Sequence, residues 1–473
     1  MQKYSTNIFF SVLNDFRFWI ALFFIVRLFG ISDPPLEAAH NWRQVTVNMV
    51  ARNFLETDSN IFYPRIDIGG EKTGITGMEF PLLNYLIFLF SKLFGYTHWY
   101  GRLINLFVSS FGVYYFYLLI KKYISRKIAF SAGLILLCSI WFNYSRKIMP
   151  DTFSVSFIFI GIYYALKYLY EGSGKYLIIY FVFALIGISV KIPSILFLPL
   201  LSFPVFEKSI FFKRKIIFLI ASLVLIIFPI WWYFYWVPYL VEEYGFWHFY
   251  MGTTFENGFY ELIKHPFEVF DKFSFDALKF IGFIVFITGI ILSIIKKEKK
   301  IFFIWLIYSL VFSIFMLKAG RAFYHHSYYI IPYVPVMALM AGFALSCINR
   351  NWIRKTILAL IIIEGIANQQ HDFFIKDSEL RKLELESIAD KVSEKNDLIV
   401  INGKDNPQDM YFAHRKGWTL NNSDISDREK INEIIKKGCR FMFIDKTYFD
   451  HKTPSLPYEM VFSNKDYIVY RLI

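Results

Sequence analysis

The 473 residues are 56% hydrophobic and 21% aromatic but only 19% charged. A soluble enzyme carries about a quarter charged residues, and here the apolar excess lies in long Phe/Ile/Leu/Tyr runs, which excludes a soluble class and favours a membrane one. The formal charge of +13 is not a nucleic-acid signature: from His371 onward 17 Lys/Arg face 18 Asp/Glu, so the basic surplus, 34 against 20, belongs to the apolar part, where basic loops on one side of a membrane account for it.

The chain opens with Lys3 and Arg17 around the start of its first apolar run. No small-residue cleavage site follows, so the pattern predicts an uncleaved first span over 17–31. Further spans are expected at about 103–120, 128–142, 152–170, 176–190, 192–206, 216–236, 275–295, 301–317, 327–347 and 356–370, about eleven in all. The apolar stretch 82–94 reads instead as a helix lying on, or dipping into, the outer face, because a span there would invert every later loop. With the N-terminus cytoplasmic, the inner connections are 121–127, 171–175, 208–215, 296–300 and 350–355, and four of these five are strongly basic. Segments 32–102, 143–151, 237–274 and 318–326 then face outward, as do the Lys191-Ile192-Pro193 break and everything after about 371.

The last hundred residues are different material. A helix over 380–393, a strand at 398–401, a helix over 425–437 capped by Ser426 or Asp427, and strands at 440–445 and 467–470 predict a small α/β domain. The expected domains are therefore 1–370, a bundle with a large first outer loop at 32–102, and 371–473, extracytoplasmic. Gly403 and Gly417 are isolated, so no phosphate-cradling loop is present there and no catalysis is assigned to it. Cys138, Cys347 and Cys439 lie far apart, with neither metal-ligand spacing nor a disulfide framework.

The outward segments hold the unusual polar residues. The first contains Asp33, Glu37, His40, Trp42 and Arg43, then Asp67, then Glu79 before Pro81. Carboxylates can remove a proton from an acceptor, Arg can hold a leaving phosphate, and aromatics with surface helices can shape a lipid groove. The bland alternative is an interfacial loop with Trp42 as anchor, but a spacer need not run to some seventy residues. The second segment offers Arg146, Lys147 and Asp151, a basic pair and an acid at the mouth of a span; snorkelling cations and a helix-capping acid are the structural counterpart. Lys191 precedes Pro193 between two apolar runs, where lysines usually snorkel. Arg321, His325 and His326 form a third basic and aromatic cluster, its histidines read as donors to a pyrophosphate or sugar, since adjacent histidines chelate poorly.

An acid beyond the first span, the Pro81-Leu82 step into a surface helix, Gly101-Arg102-Leu103 opening the next span, and Arg146-x-x-x-Pro150-Asp151 in the second outer loop together resemble the GT-C glycosyltransferases over residues 1 to about 350. The branch resembled is the family-39-like bacterial enzymes, relatives of protein O-mannosyltransferases and lipid A aminoarabinose transferases. His40-Asn41-Trp42-Arg43-Gln44 with Ala51-Arg52-Asn53-Phe54 looks like a bacterial subgroup of it. The resemblance implies an all-α polytopic bundle in the bacterial inner membrane, a polyprenyl-phosphate-linked sugar donor and inverting transfer on the extracytoplasmic face. The implied acceptor is an envelope glycan, lipid or protein hydroxyl. It also implies a first-loop carboxylate as general base, with Asp151 assisting, in some relatives with a divalent metal (Mg, Mn or Zn), for which Asp151 and Glu37 are the candidate ligands here. Lys191 looks like the basic residue beside the donor phosphate, with Arg43, Arg146, Lys147, Arg321, His325, His326 and Trp42 as further donor or lipid contacts.

Two departures keep the choice of base open. Relatives place an acidic pair where this chain has Arg43-Gln44-Val45-Thr46, and Glu79-Phe80-Pro81 replaces a Lys-Pro-Pro step. Asp33, Glu37, Asp67 and Glu79 remain, with Glu37 preferred because a helical stretch would put it on one face with His40. A polyprenyl-linked glycan flippase or transporter is the main alternative, but such proteins carry midspan charges and internal repeats, and Glu364 is the main midspan exception here. An O-antigen-type polymerase or ligase would have its large outer loop late in the chain, not first.

Overall fold

The computed structural model describes residues 11–245, 252–449 and 456–473, so Lys3 lies outside the described residues. It divides into two compact units. One comprises Met1–Ile31, Arg102–Trp232 and Tyr250–His371; the other comprises Ser32–Gly101, Tyr233–Phe249 and Asp372–Ile473. The division differs from the expected 1–370 and 371–473, because the first outer segment shares a core with the C-terminal residues.

The first unit is helical. Each expected span carries helix, including Phe16–Val26, Tyr100–Tyr123, Pro150–Glu171, Gly174–Val190 and Lys299–Ala319. Among the described residues, however, only four helices are long and apolar enough to cross a membrane (Tyr100–Tyr123, Pro150–Glu171, Phe212–Tyr244 and Lys299–Ala319), or five if Pro266–Ala277 and Lys279–Ile295, bent by 97°, form one span. The expected eleven are not reached, because breaks such as the 3₁₀ turn Ile192–Leu201 with its internal Pro199 cut apolar runs short. Glu364, the midspan acid, accepts through its Oε2 from the backbone N–H of Ile281, 2.8 Å away, in the first turn of the helix that starts at the bend.

Helices Pro150–Glu171 and Gly174–Val190 pack closely, and two glycines make this feasible. A Cβ at Gly187 would lie 3.0 Å from the Ser154 carbonyl oxygen, and one at Gly161 would lie 3.1 Å from the Ala184 nitrogen. Pro150 opens its helix with a preset φ, and Gly172 in the left-handed region (φ 81°) closes it. This packing fixes where Asp151 and Lys191 sit.

The second unit is α/β. Its five-stranded sheet has the order β2-β1-β3-β5-β4, with β1 Leu398–Ile401, β2 Lys416–Thr419, β3 Cys439–Asp445, β4 Glu459–Ser463 and β5 Tyr467–Arg471. β1 is parallel to β2 and β3, while β5 runs antiparallel to β3 and β4. Strands β1, β3 and β5 match expectation, as does the helix Arg428–Lys436, whose Asp427 cap accepts from the N–H groups of Glu429 (2.9 Å) and Lys430 (3.3 Å). The edge strands β2 and β4 lack a period-2 signal and escape a sequence reading.

Edge strand β2 is not left open. Its Gly417 N–H donates to the Asp67 carbonyl (2.9 Å) and its carbonyl accepts from Gly70 (2.8 Å), so the first outer segment pairs with the sheet. The helix Asn41–Glu56 adds Val45, Met49, Val50 and Phe54 to a core shared with Leu385, Ile399, Phe443 and Val469. The apolar helix Leu82–Phe94 belongs to this unit and buries Leu83, Ile87 and Phe88 within it.

A histidine clasp ties the same pieces together. His414 hydrogen-bonds Glu386 through Nδ1 (2.6 Å) and Glu56 through Nε2 (2.9 Å). Burial alone would lower its pKa, but the two carboxylates outweigh this and hold it above its usual value, while the His414 contact brings Glu386 down to about 2. The histidine contribution is complete below its ordinary value near 6.5 and disappears as pH rises through the raised one. The Glu386 contribution is complete above 4.5 and disappears as pH falls toward about 2. The clasp is therefore tightest between these limits. Since both carboxylates are half-exposed, the thermal midpoint should fall by only about 1–3 °C between pH 6 and pH 9, and by less in His414→Gln. Differential scanning fluorimetry of the full chain reads this directly.

Candidate functional site

Within the helical unit the expected cations and acid come together at one end. Asp151, in the first turn of its helix and 6% exposed, lies 3.4 Å from the Lys191 ammonium. Lys191 ends helix Gly174–Val190, and its Nζ stands 5.5 Å from the centroid of the Tyr328 ring. Ser154 pins the break after it, donating to the Gly187 carbonyl (2.6 Å) and meeting the Ser194 hydroxyl at 2.5 Å. Asp151, Lys191, Pro193, Ser194, Tyr328 and Tyr329 line a small cavity of about 20 Å³. It is room for little more than one water.

Arg146 and Lys147 are buried on the loop before this helix. The Lys147 ammonium lies 5.9 Å from the Tyr144 ring, Tyr144 shares a 2.6 Å hydrogen bond with Ser327, and the Tyr144 and Tyr328 rings are 6.5 Å apart. Arg146 donates to the Phe29 carbonyl at 2.8 Å. His326 joins the same neighbourhood by stacking on Tyr328 at 5.2 Å. Arg321 and His325 do not reach it by any such contact: both are exposed, the Arg321 N–H donates to Glu261 (2.6 Å), and His325 lies against Tyr324.

One residue that organises this loop was not singled out from sequence. Asn105 is fully buried in helix Tyr100–Tyr123, and its Nδ2, with two N–H groups to donate, lies 3.0, 2.8 and 3.1 Å from the carbonyl oxygens of Tyr144, Lys147 and Met149. Its Oδ1 accepts from Ser109 and Thr152. Arg27 is a second such residue, buried at the end of the first helix and bonded to Phe23 and Ser145. An amide or a guanidinium inside an apolar run was the available signal.

In the α/β unit the first-segment acids have separate fates. Glu37 is buried, its Oε1 accepts from Gln44 (2.9 Å), and its backbone bridges Ile375. The stretch is not helical: helix begins at Asn41, and His40 takes a left-handed conformation (φ 57°) ahead of it. The helical-face reason for pairing Glu37 with His40 therefore fails. Asp67 is held by Arg52 (2.9 Å) and Asn53 (2.7 Å), a structural pin. Glu79, 2% exposed, forms an ion pair with Arg43, which commits that arginine locally. Asp33 is part-exposed, and Trp42, 44% exposed, presents its ring outward.

The expected metal ligands, Asp151 and Glu37, fall in different units. Among the described residues no three His, Cys, Asp or Glu side chains are spaced to hold a metal ion.

Comparison with known proteins narrows the class. The sequence model of the dolichyl-phosphate-mannose-protein mannosyltransferases matches residues 79–234. No curated protein sequence matches the chain. Among solved structures, ArnT from Cupriavidus metallidurans in the apo state superposes with a TM-score of 0.63 at 12% identity, covering 96% of this chain and 98% of that one. The chain has the GT-C fold. The same GT-C architecture is shared with ArnT bound to undecaprenyl phosphate (TM-score 0.61, 11% identity, 96% and 98% covered). It is shared too with the archaeal oligosaccharyltransferase AglB from Archaeoglobus fulgidus in complex with an inhibitory peptide and a dolichol-phosphate (0.55, 12%, 91% and 69%). With its apolar helices, the chain is an integral membrane protein that resembles the membrane glycosyltransferases of the mannosyltransferase and ArnT type.

Proposed function

We propose that the chain transfers a sugar from a polyprenyl-phosphate-linked donor to a hydroxyl of an envelope glycan, lipid or protein, with inversion, on the extracytoplasmic face of a bacterial inner membrane. The observation that carries this is the placing of Lys191 at the Tyr328 ring and Lys147 at the Tyr144 ring, with buried Arg146 on the same loop, at one end of helix Pro150–Glu171. Undecaprenyl phosphate bound to a protein of the same fold supports it.

In the reaction the acceptor oxygen forms a bond to the anomeric carbon as the carbon–oxygen bond to phosphate breaks. The acceptor proton passes to a carboxylate, and polyprenyl phosphate departs with its added negative charge. Buried cations stabilise that charge most where water is excluded. Asp151, 3.4 Å from Lys191, pairs with the ammonium and aims it.

For the base we propose Asp33 rather than Glu37. A base must reach an acceptor hydroxyl. Asp33 is part-exposed, whereas Glu37, Asp67 and Glu79 are buried.

The test is transfer by the purified full chain given an undecaprenyl-phosphate-linked sugar and envelope extract, with release of undecaprenyl phosphate followed by mass spectrometry. Time-dependent release is expected. No release with any pentose or hexose donor, together with unchanged envelope glycans when the gene is deleted, would overturn the assignment.

A further inference from the structure

The opposite end of the helical unit holds a feature that transfer does not use. A cavity of about 630 Å³ opens there, within the ordinary range for small-molecule pockets. It lies beside the 3₁₀ segment Ile192–Leu201, whose Phe197, Leu200 and Leu201 line it. Its interior is apolar: Phe116 and Phe159 meet at a tilt and Phe159 and Phe197 edge to face, with ring centroids 5.3 and 5.4 Å apart, and Val336 and Leu339 complete the lining. Its mouth is polar, with Tyr123 and Tyr170 stacked at 5.7 Å and Lys299, Lys300 and Glu207 around them.

An apolar void of this size within membrane helices offers water no polar partners and suits a hydrocarbon chain. The charge at the mouth says what heads that chain. Lys300 spends one N–H on the Tyr123 carbonyl (2.9 Å), leaving two of its three, and Lys299 is exposed. The Glu207 carboxylate at the same mouth is already engaged by the hydroxyls of Tyr170 and Ser209. The lysines outnumber it, so the rim favours an anion, and tyrosines at such a rim suit the interfacial region of a bilayer.

Distance separates this anion from the donor phosphate. Asp151 and Tyr170 stand nineteen residues apart on one 22-residue helix, about 28 Å at 1.5 Å per residue, close to the thickness of a hydrocarbon core. A lipid whose phosphate sits at Lys191 cannot also present it to Lys299 and Lys300. We propose that the cavity binds an anionic phospholipid of the leaflet opposite Lys191, with acyl chain inside and phosphate at Lys299 and Lys300. This goes beyond glycosyl transfer and makes the protein selective for lipid charge at its basic end.

Native mass spectrometry of the full chain, exchanged into equimolar phosphatidylglycerol and phosphatidylcholine, tests it. Phosphatidylglycerol should be retained at least tenfold over phosphatidylcholine. The double variant Lys299→Gln/Lys300→Gln should lose about fivefold of that preference per lysine, the attraction of one surface lysine for an anionic leaflet. Leu200→Trp, which fills the cavity, should remove both lipids. Equal retention of the two lipids, or an unchanged preference in the double variant, would overturn the proposal. So would finding that undecaprenyl phosphate is what the double variant loses, which would make the cavity a donor-tail site. Lys191→Gln keeps the two ideas apart: it should weaken undecaprenyl phosphate binding and leave phosphatidylglycerol retained.

Discussion

Lys191→Gln is expected to lower transfer by on the order of 10²-fold, with most of the loss in donor binding and leaving-group stabilisation. A hydrogen bond to a charged group contributes about 1.5–3 kcal/mol, and a buried developing charge raises that value. The substitution also leaves Asp151, 7% exposed at its side chain, without the ammonium 3.4 Å away, so some loss of stability accompanies the loss of activity. Two further variants separate these effects. Lys191→Arg keeps the charge and should recover much of the donor binding, while Lys191→Gln/Asp151→Asn removes both charges and should restore stability without restoring transfer. Titration with undecaprenyl phosphate and a thermal midpoint measure the two quantities. Wild-type transfer by Lys191→Gln would remove this residue from the donor phosphate.

Asp33→Asn is the second large effect. General base catalysis contributes about 10²–10⁴-fold, so kcat should fall by that factor while undecaprenyl phosphate binding is kept. Glu37→Gln should do much less to kcat. It keeps the shape and a hydrogen bond to Gln44, and its main consequence should be looser order at the bridge to Ile375. Single-turnover assays on both variants decide between them. A collapse of kcat in Glu37→Gln with Asp33→Asn near wild type would reverse the assignment.

Much of the helical unit was legible because burial in a membrane writes itself into composition. Long apolar runs marked helices, and Lys191 and Asp151 stood out as charges at their ends. The aromatic partners did not stand out: Tyr144 and Tyr328 are two of 32 tyrosines, and nothing local says that their rings lie 6.5 Å apart. Asn105 shows the same difficulty. Its sequence signal is one amide in an apolar helix, but its role, holding the carbonyls of a loop some forty residues on, is a tertiary fact.

The first outer segment is less legible for a definite reason. Its acids looked alike in sequence, and their differences come from partners elsewhere in the chain: Gln44 for Glu37, Arg52 and Asn53 for Asp67, Arg43 for Glu79. The helical spacing expected between Glu37 and His40 gave way to a bridge with Ile375, a residue more than three hundred positions distant.

By itself the sequence determined that this is a membrane protein with acids and cations concentrated between its apolar runs, because hydrophobicity and charge are local properties of side chains. Only the tertiary structure decided which acids are neutralised by arginines and which cation meets which ring. It also decided that the first outer segment completes the C-terminal sheet. Those outcomes depend on contacts between distant residues, and a pattern along the chain carries no record of them.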